Sequence, residues 1–325
     1  MQNMKWSREV LVSGFVLAFA VFAPSFPALR AQIFGTNDLW LEIALTNNVA
    51  AFTIHAPATN ANGVYDLYFN TNPIDNQDWT WWLRNGPGQT NLAVTNLPPG
   101  QGFFRLGVAN AIRTGFTNNQ QILDRNDDGS TAKVQIGFLI NFFGSSNATL
   151  YVNNNGNVTF DNAQSAYTPT PLNKLGISII APYWADVDTR NTASDVVKYG
   201  TNTVNGHNAF GVDWVNVGYY AYHADKLLSC QLVIIDRSSD SDKAPGDFDM
   251  EFNYFKVQWE WGDASKNCPP HAGFSNGLGG EELPGSGVQG AFQDTNVVTG
   301  LIYHSLNSPV PGRYIFSFRH GQPLP

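Results

Sequence analysis

Apolar and polar residues alternate in short runs through most of the chain, and the runs have the length of strands. Phe248, Met250, Phe252 and Tyr254 alternate with Asp249, Glu251 and Asn253. That period of two predicts an extended segment with one face buried and one wet. At Tyr254-Phe255 the parity slips, and Phe255, Val257, Trp259 and Trp261 carry the apolar series on; a β-bulge absorbs such a slip. Phe210, Val212 and Trp214, followed by Val215, Val217 and Tyr219, show the same shift, and Tyr314, Phe316 and Phe318 predict a final strand. Leu150-Tyr151-Val152 and Val158-Thr159-Phe160 flank a tip containing Asn155-Gly156, a dipeptide favoured in hairpin turns because both residues tolerate positive φ. Beyond the amino-terminal segment no stretch has helical periodicity. The pattern predicts an all-β protein.

The same pattern divides the chain. Lys5 and Arg8 precede an apolar stretch from Val10 to Ala23, and Pro24, Pro27 and small residues follow up to Ala31. This is the layout of an export signal over residues 1–31, with cleavage near Ala28 or Ala31. The stretch is shorter than the roughly 20 residues a membrane span needs, so no span is expected after cleavage and the mature chain is expected to be secreted. Residues 36–108 read as a small β module, with runs such as Ala51-Phe52-Thr53-Ile54 and Asp66-Leu67-Tyr68-Phe69 between Asn, Pro and Gly clusters. A polar strip containing Asn118, Asn119, Gln120 and Gln121 places the domain boundary between about Ala109 and Ala132. A second β domain follows over residues 120–320.

Composition sharpens this picture. Only 14% of the 325 residues are charged, against about 25% in an ordinary soluble protein. Aromatics are abundant, with 9 Trp, 12 Tyr and 22 Phe, which argues against disorder. A net charge of −8 excludes a phosphate-tracking nucleic-acid binder.

Ordered segments of the second domain resemble a known family. Tyr151-Val152-Asn153-Asn154-Asn155-Gly156-Asn157-Val158-Thr159-Phe160 is similar to the opening hairpin of nidogen-like (NIDO) domains. Ile180-Ala181-Pro182-Tyr183-Trp184-Ala185-Asp186-Val187-Asp188-Thr189-Arg190 resembles their central signature. The segments Phe210–Tyr220 and Phe248–Tyr254 recur in the family in similar form and order. The resemblance implies an antiparallel β-sandwich-like domain of the kind found in extracellular matrix and cell-surface proteins of animals, where the family is associated with cell–matrix adhesion. It therefore implies a non-enzymatic exported protein, with matrix, cell-wall or surface protein or glycan as the partner class.

Candidate chemistry is sparse. Asp124-Arg125-Asn126-Asp127-Asp128-Gly129 matches the first half of a calcium loop, with Asp124, Asn126 and Asp128 as the alternating oxygen ligands. The twelfth position is Gln135, where the motif wants a bidentate Glu, and the flanks read as extended. A full EF-hand is excluded; a looser calcium site or a hydrated Asx turn is left, the turn being the simpler expectation. No cofactor is required, and calcium is the one candidate.

Asp186 and Asp188 lie two apart, so an extended backbone points both carboxylates one way, with Arg190 placed to pair with one of them. Gly273-Phe274-Ser275-Asn276-Gly277 fits the nucleophile-elbow pattern, but a Gly-rich stretch replaces the helix that must follow. Trp79, Trp81 and Trp82 form either an aromatic platform for sugars or part of a core. Cys230 and Cys268 are the only cysteines. Export admits a disulfide between them, while the alternating run around Cys230 suits a buried free thiol equally well.

Overall fold

The computed structural model describes residues 15–20, 40–46, 49–56, 64–70, 80–86, 88–94, 102–108, 111–116 and 121–325. The chain divides into two compact units, Met1–Ala109 and Asn110–Pro325. Among the described residues no helix is long and apolar enough to cross a membrane.

The first unit holds β1 (Phe15–Ala20), β2 (Trp40–Thr46), β3 (Val49–His55), β4 (Tyr65–Asn70), β5 (Thr80–Arg84), β6 (Asn91–Val94) and β7 (Gly102–Val108). They form a four-stranded sheet ordered β1-β7-β4-β5 and a three-stranded sheet ordered β2-β3-β6. Leu41, Phe52, Ile54, Leu67, Phe104 and Leu106 are buried together between them. β1, from within the predicted export segment, pairs with β7, Phe15 opposite Gly107; most of that segment lies outside the described residues. Asp66 is buried in this unit and accepts both a Nε and a Nη2 hydrogen bond from Arg84.

The second unit runs from β8 (Gln121–Ile122), β9 (Val134–Phe142), β10 (Ser145–Asn153) and β11 (Asn157–Thr159) to β12 (Ile179–Trp184) and β13 (Val187–Asp188). It continues through β14 (Lys198–Val204), β15 (His207–Tyr219), β16 (His223–Asp236) and β17 (Phe248–Val257). It closes with β18 (His271–Ser275), β19 (Gly280–Glu282), β20 (Arg313–Arg319) and β21 (Gln322–Pro323). One sheet is ordered β19-β18-β12-β11-β10-β9 and the other β21-β20-β17-β16-β15-β14-β8, with β13 beside β15. The two sheets stack as a β-sandwich, and aromatic side chains cross the gap. Phe274 of the first sheet lies 5.2 Å from Phe316 and 5.3 Å from Phe318 of the second, ring centre to ring centre. Where polar tips enter the layer they are satisfied: the Tyr254 hydroxyl donates to the Pro182 carbonyl at 2.7 Å.

Both parity slips are bulges. Ser229 pairs with Lys256 and Cys230 with Tyr254, so Phe255 is the extra residue. Val215 pairs with Ser229 and Val217 with Leu228, so Asn216, at φ 55°, is the other.

The expectation of one wet face on β17 fails. Glu251 is 2% exposed and Asn253 fully buried, because residues 111–116 lie across that face. Phe116 joins Val204, Ala209, Val233 and Ile235 in a second apolar cluster. The Arg113 guanidinium donates to both oxygens of Glu251, at 2.5 and 2.7 Å. Arg313 Nε donates to Asn253 Oδ1 at 2.8 Å.

Candidate functional site

The hairpin tip, the segment after β12 and the acidic loop meet at one corner of the second unit. Gly156 makes the tip possible. Its φ is 74°, and a Cβ there would stand 1.7 Å from the Tyr183 carbonyl oxygen, so only glycine lets the two segments approach. Asparagines of the tip then clamp the others. Asn155 Nδ2 donates to Asp128 Oδ1 at 2.8 Å, and Asn155 Oδ1 accepts from the Val187 N–H at 2.9 Å. The Asn154 main-chain N–H donates to the Gly129 carbonyl at 2.9 Å. Asn154 Nδ2 donates to the main-chain carbonyls of Asp127 and Val187. From the far side, Arg125 Nη1 donates to the carbonyls of Thr189 and Ser194, both at 2.7 Å.

This geometry brings together Asp127, Asp128 and Asp186, one carboxylate oxygen of each lying within 4.8 Å of the others. Asp188 faces the same corner but is occupied by Arg190, which donates through Nε to Oδ1 at 2.9 Å and through Nη2 to Oδ2 at 2.6 Å. Arg190 Nη2 also lies 3.0 Å from Asp127 Oδ2. The two aspartates of the central signature therefore differ. β12 stops at Trp184, and Val187 N–H closes a tight turn onto the Ala185 carbonyl at 2.9 Å, so the backbone between them is not a continuous strand. Asp186 instead accepts from the Ser265 hydroxyl at 2.8 Å. A Cβ on Gly262 would come within 2.8 Å of Asp186 Oδ2, so glycine is also needed beneath this carboxylate.

The electrostatics follow from burial and crowding. Asp127 is pushed up to about 6, first by burial and then by the charge of Asp188, with Arg190 opposing. Asp186 is likewise raised to about 6 by burial, against the hydrogen bond from Ser265, with the charges of Asp128 and Asp188 adding to the rise. Burial also acts to raise Asp188, but hydrogen bonds from the Arg190 side chain and from the main chains of Arg190 and Tyr222 outweigh it and hold it low.

Of the three loop ligands expected from alternation, the structure brings only Asp128 into this cluster. Asp124 is exposed. Asn126 is spent on the turn itself: Nδ2 donates to the Asp124 carbonyl and Oδ1 accepts from the Gly129 N–H, each at 2.6 Å. Both bonds are local and close the loop onto its own main chain. Reading by alternation passed over Asp127 and the asparagines 154 and 155, although three successive asparagines before Gly156 exceed what a two-residue turn requires.

The remaining candidates are placed as follows. Ser275 is buried, donates to the Gly279 carbonyl and accepts from the Gly277 N–H, both at 2.9 Å; its hydroxyl closes a loop. Trp82 packs on the first unit's core, 5.4 Å from the Phe69 ring and 6.4 Å from Phe104. Trp81 is in β5, and Trp79 lies outside the described residues.

Cys230 and Cys268 are both free thiols in this structure. Cys230 sits at the centre of β16 between Trp214 and Tyr254 of the neighbouring strands, while Cys268 is in the turn that follows Ser265. Burial holds the Cys230 thiol well above its ordinary range.

Comparison with known proteins supplies the lineage. A family model described as "NIDO related" matches residues 109–240, and the nidogen-like domain model matches residues 193–320. Mouse alpha-tectorin is 30% identical over 233 aligned positions, covering 62% of this chain and 10% of the relative. Human alpha-tectorin is 29% identical over the same span, and Drosophila melanogaster nidogen 28% identical over 130 positions, covering 33% of this chain and 10% of the relative. The chain thus spans about a tenth of the length of these relatives. No solved structure matches it significantly. The motifs, the sandwich and the two overlapping matches agree, and the chain belongs to the nidogen-like (NIDO) domain family.

Proposed function

We propose that this chain is an exported, non-enzymatic matrix or surface protein whose nidogen-like domain serves in cell–matrix adhesion or protein interaction. The observation that carries the reading is the family membership of residues 109–320, in a family whose animal members belong to the extracellular matrix and cell surface. The amino-terminal signal pattern supports export. The fates of the reactive groups support a structural rather than catalytic role. Ser275 is tied into its own loop, and Asp188 is neutralised by Arg190.

The test is retention. The purified chain, immobilised, is challenged with intact cells and with isolated matrix or wall material, before and after protease treatment of that material. Saturable retention that protease abolishes supports the reading. Retention only through glycans, with a positive glycan array lost on replacing Trp81 and Trp82 by Ala, supports sugar binding instead. No retention at all overturns adhesion. Export is checked separately by the amino terminus of the released chain, expected just after Ala28 or Ala31.

A further inference from the structure

We propose that the acidic corner is a binding site for a hard divalent cation of the calcium type, held by carboxylate oxygens of Asp127, Asp128 and Asp186 together with the side-chain carbonyl of Asn154. An acidic cluster alone would not carry this. The second observation is Asn154, which is 1% exposed and whose Oδ1 has no hydrogen-bond partner. Its Nδ2 is held by the main-chain carbonyls of Asp127 and Val187, the immediate neighbours of Asp128 and Asp186. Two acceptors on that side fix which end of the amide is nitrogen. The carbonyl end is therefore left buried and unsatisfied, on an amide wedged between the two main-chain segments that carry the three carboxylates. Asp127 Oδ1 is in the same condition. A buried acceptor lacking a donor is costly, and one on the Asn154 amide and one on the Asp127 carboxylate itself together call for positive charge.

The charge count agrees. Asp127, Asp128, Asp186 and Asp188 share the corner with Arg190, whose guanidinium is already taken by both oxygens of Asp188 and one of Asp127. The donors are all oxygen, which selects a hard cation over zinc or copper. Carboxylate oxygens within 4.8 Å of one another can be bridged by one Ca2+ with bonds of about 2.3–2.6 Å, whereas Mg2+ at about 2.0–2.1 Å demands a tighter octahedron. The bound ion would tie the acidic loop to the hairpin tip and to the turn after β12. Export matters here only as the source of calcium, so the test does not depend on the proposed adhesive role.

The full chain, stripped with chelator, is titrated with CaCl2 and separately with MgCl2 by calorimetry, and its melting midpoint is followed in parallel. One Ca2+ per chain, with a dissociation constant on the order of 10⁻⁴–10⁻³ M as in extracellular modules, is expected, with a rise in midpoint and weaker binding of Mg2+. Asp186→Asn and Asp128→Asn, which preserve shape and the bonds from Ser265 and Asn155, are each expected to weaken binding at least tenfold. Asp124→Asn is expected to leave it unchanged. Should Asp186→Asn fail to fold by circular dichroism, the more exposed Asp128→Asn decides. The proposal is overturned by a folded wild-type chain that shows neither calcium heat nor a midpoint shift. It is equally overturned if both Asp128→Asn and Asp186→Asn bind as wild type, or if Asp124→Asn loses binding with them.

Discussion

Asn155 joins Asp128 across 27 positions of sequence, its Nδ2 donating to the carboxylate at 2.8 Å while its Oδ1 takes the Val187 N–H at 2.9 Å. One buried amide thus holds together two segments that have no strand pairing with each other. Asn155→Ala removes both bonds and leaves the buried Val187 N–H with only its tight-turn contact to the Ala185 carbonyl. The expected loss is about 2–4 kcal/mol of unfolding free energy, read from urea denaturation as a lower midpoint with an unchanged slope. A loss below about 0.5 kcal/mol would mean that water replaces the amide.

Gly156→Ala is predicted to be far worse than Gly144→Ala, although both glycines have positive φ, 74° and 87°. At Gly144 an added Cβ meets nothing within 4 Å, whereas at Gly156 it stands 1.7 Å from the Tyr183 carbonyl oxygen. The first change should cost about 1–2 kcal/mol for backbone conformation alone. The second adds a clash between two main chains and should cost about 4 kcal/mol or more, or prevent folding. Equal midpoints for the two variants would refute the close approach.

Asp294 supplies a pH dependence away from the acidic corner. It is 5% exposed, and burial pushes its carboxyl up to about 6, against a hydrogen bond from the Val257 N–H and the charge of Lys256. The ordinary value in an unfolded chain is about 3.9. Between these values the folded state keeps a proton that the unfolded state has released. The stability this contributes is complete below about pH 4 and lost as pH rises through about 6. From pH 5 to 7.5, in chelator, wild type should lose about 1 kcal/mol more than Asp294→Asn. Parallel pH profiles for the two proteins would show that Asp294 titrates normally.

The cysteines should differ in reactivity. Cys230 is fully buried within β16 and its thiol is held high by desolvation, and reactivity needs an accessible thiolate. Cys268 is partly exposed. A thiol reagent should label Cys268 in the native protein and Cys230 only in denaturant. A chain that takes no label even in denaturant, and gains two upon reduction, would have the disulfide after all.

Much of the fold was legible because alternation is local. The bulges at Asn216 and Phe255 follow from parity alone, since each extra residue shifts the apolar series by one position. The Asn155-Gly156 turn and the ordered family segments were equally readable. The pairing of Asp188 with Arg190 was as well, both being on one parity and two residues apart.

What the chain by itself determined, then, is the set of strands, their turns and their lineage, because these depend on the periodicity of neighbouring residues. What only tertiary structure decided is which polar residues go inside and which acids meet. Glu251 and Asn253 sit on the polar parity of β17 and are buried because residues 111–116, far earlier in sequence, cover them and supply Arg113. Asp127 and Asp128 meet Asp186 only because a glycine lets the hairpin tip press against Tyr183 and two asparagines bridge the gap. Carboxylates in distant segments carry no periodic signal of each other. Their encounter is a consequence of packing: alternation points to Asp124, Asn126 and Asp128, whereas packing brings Asp128 together with Asp127 and Asp186.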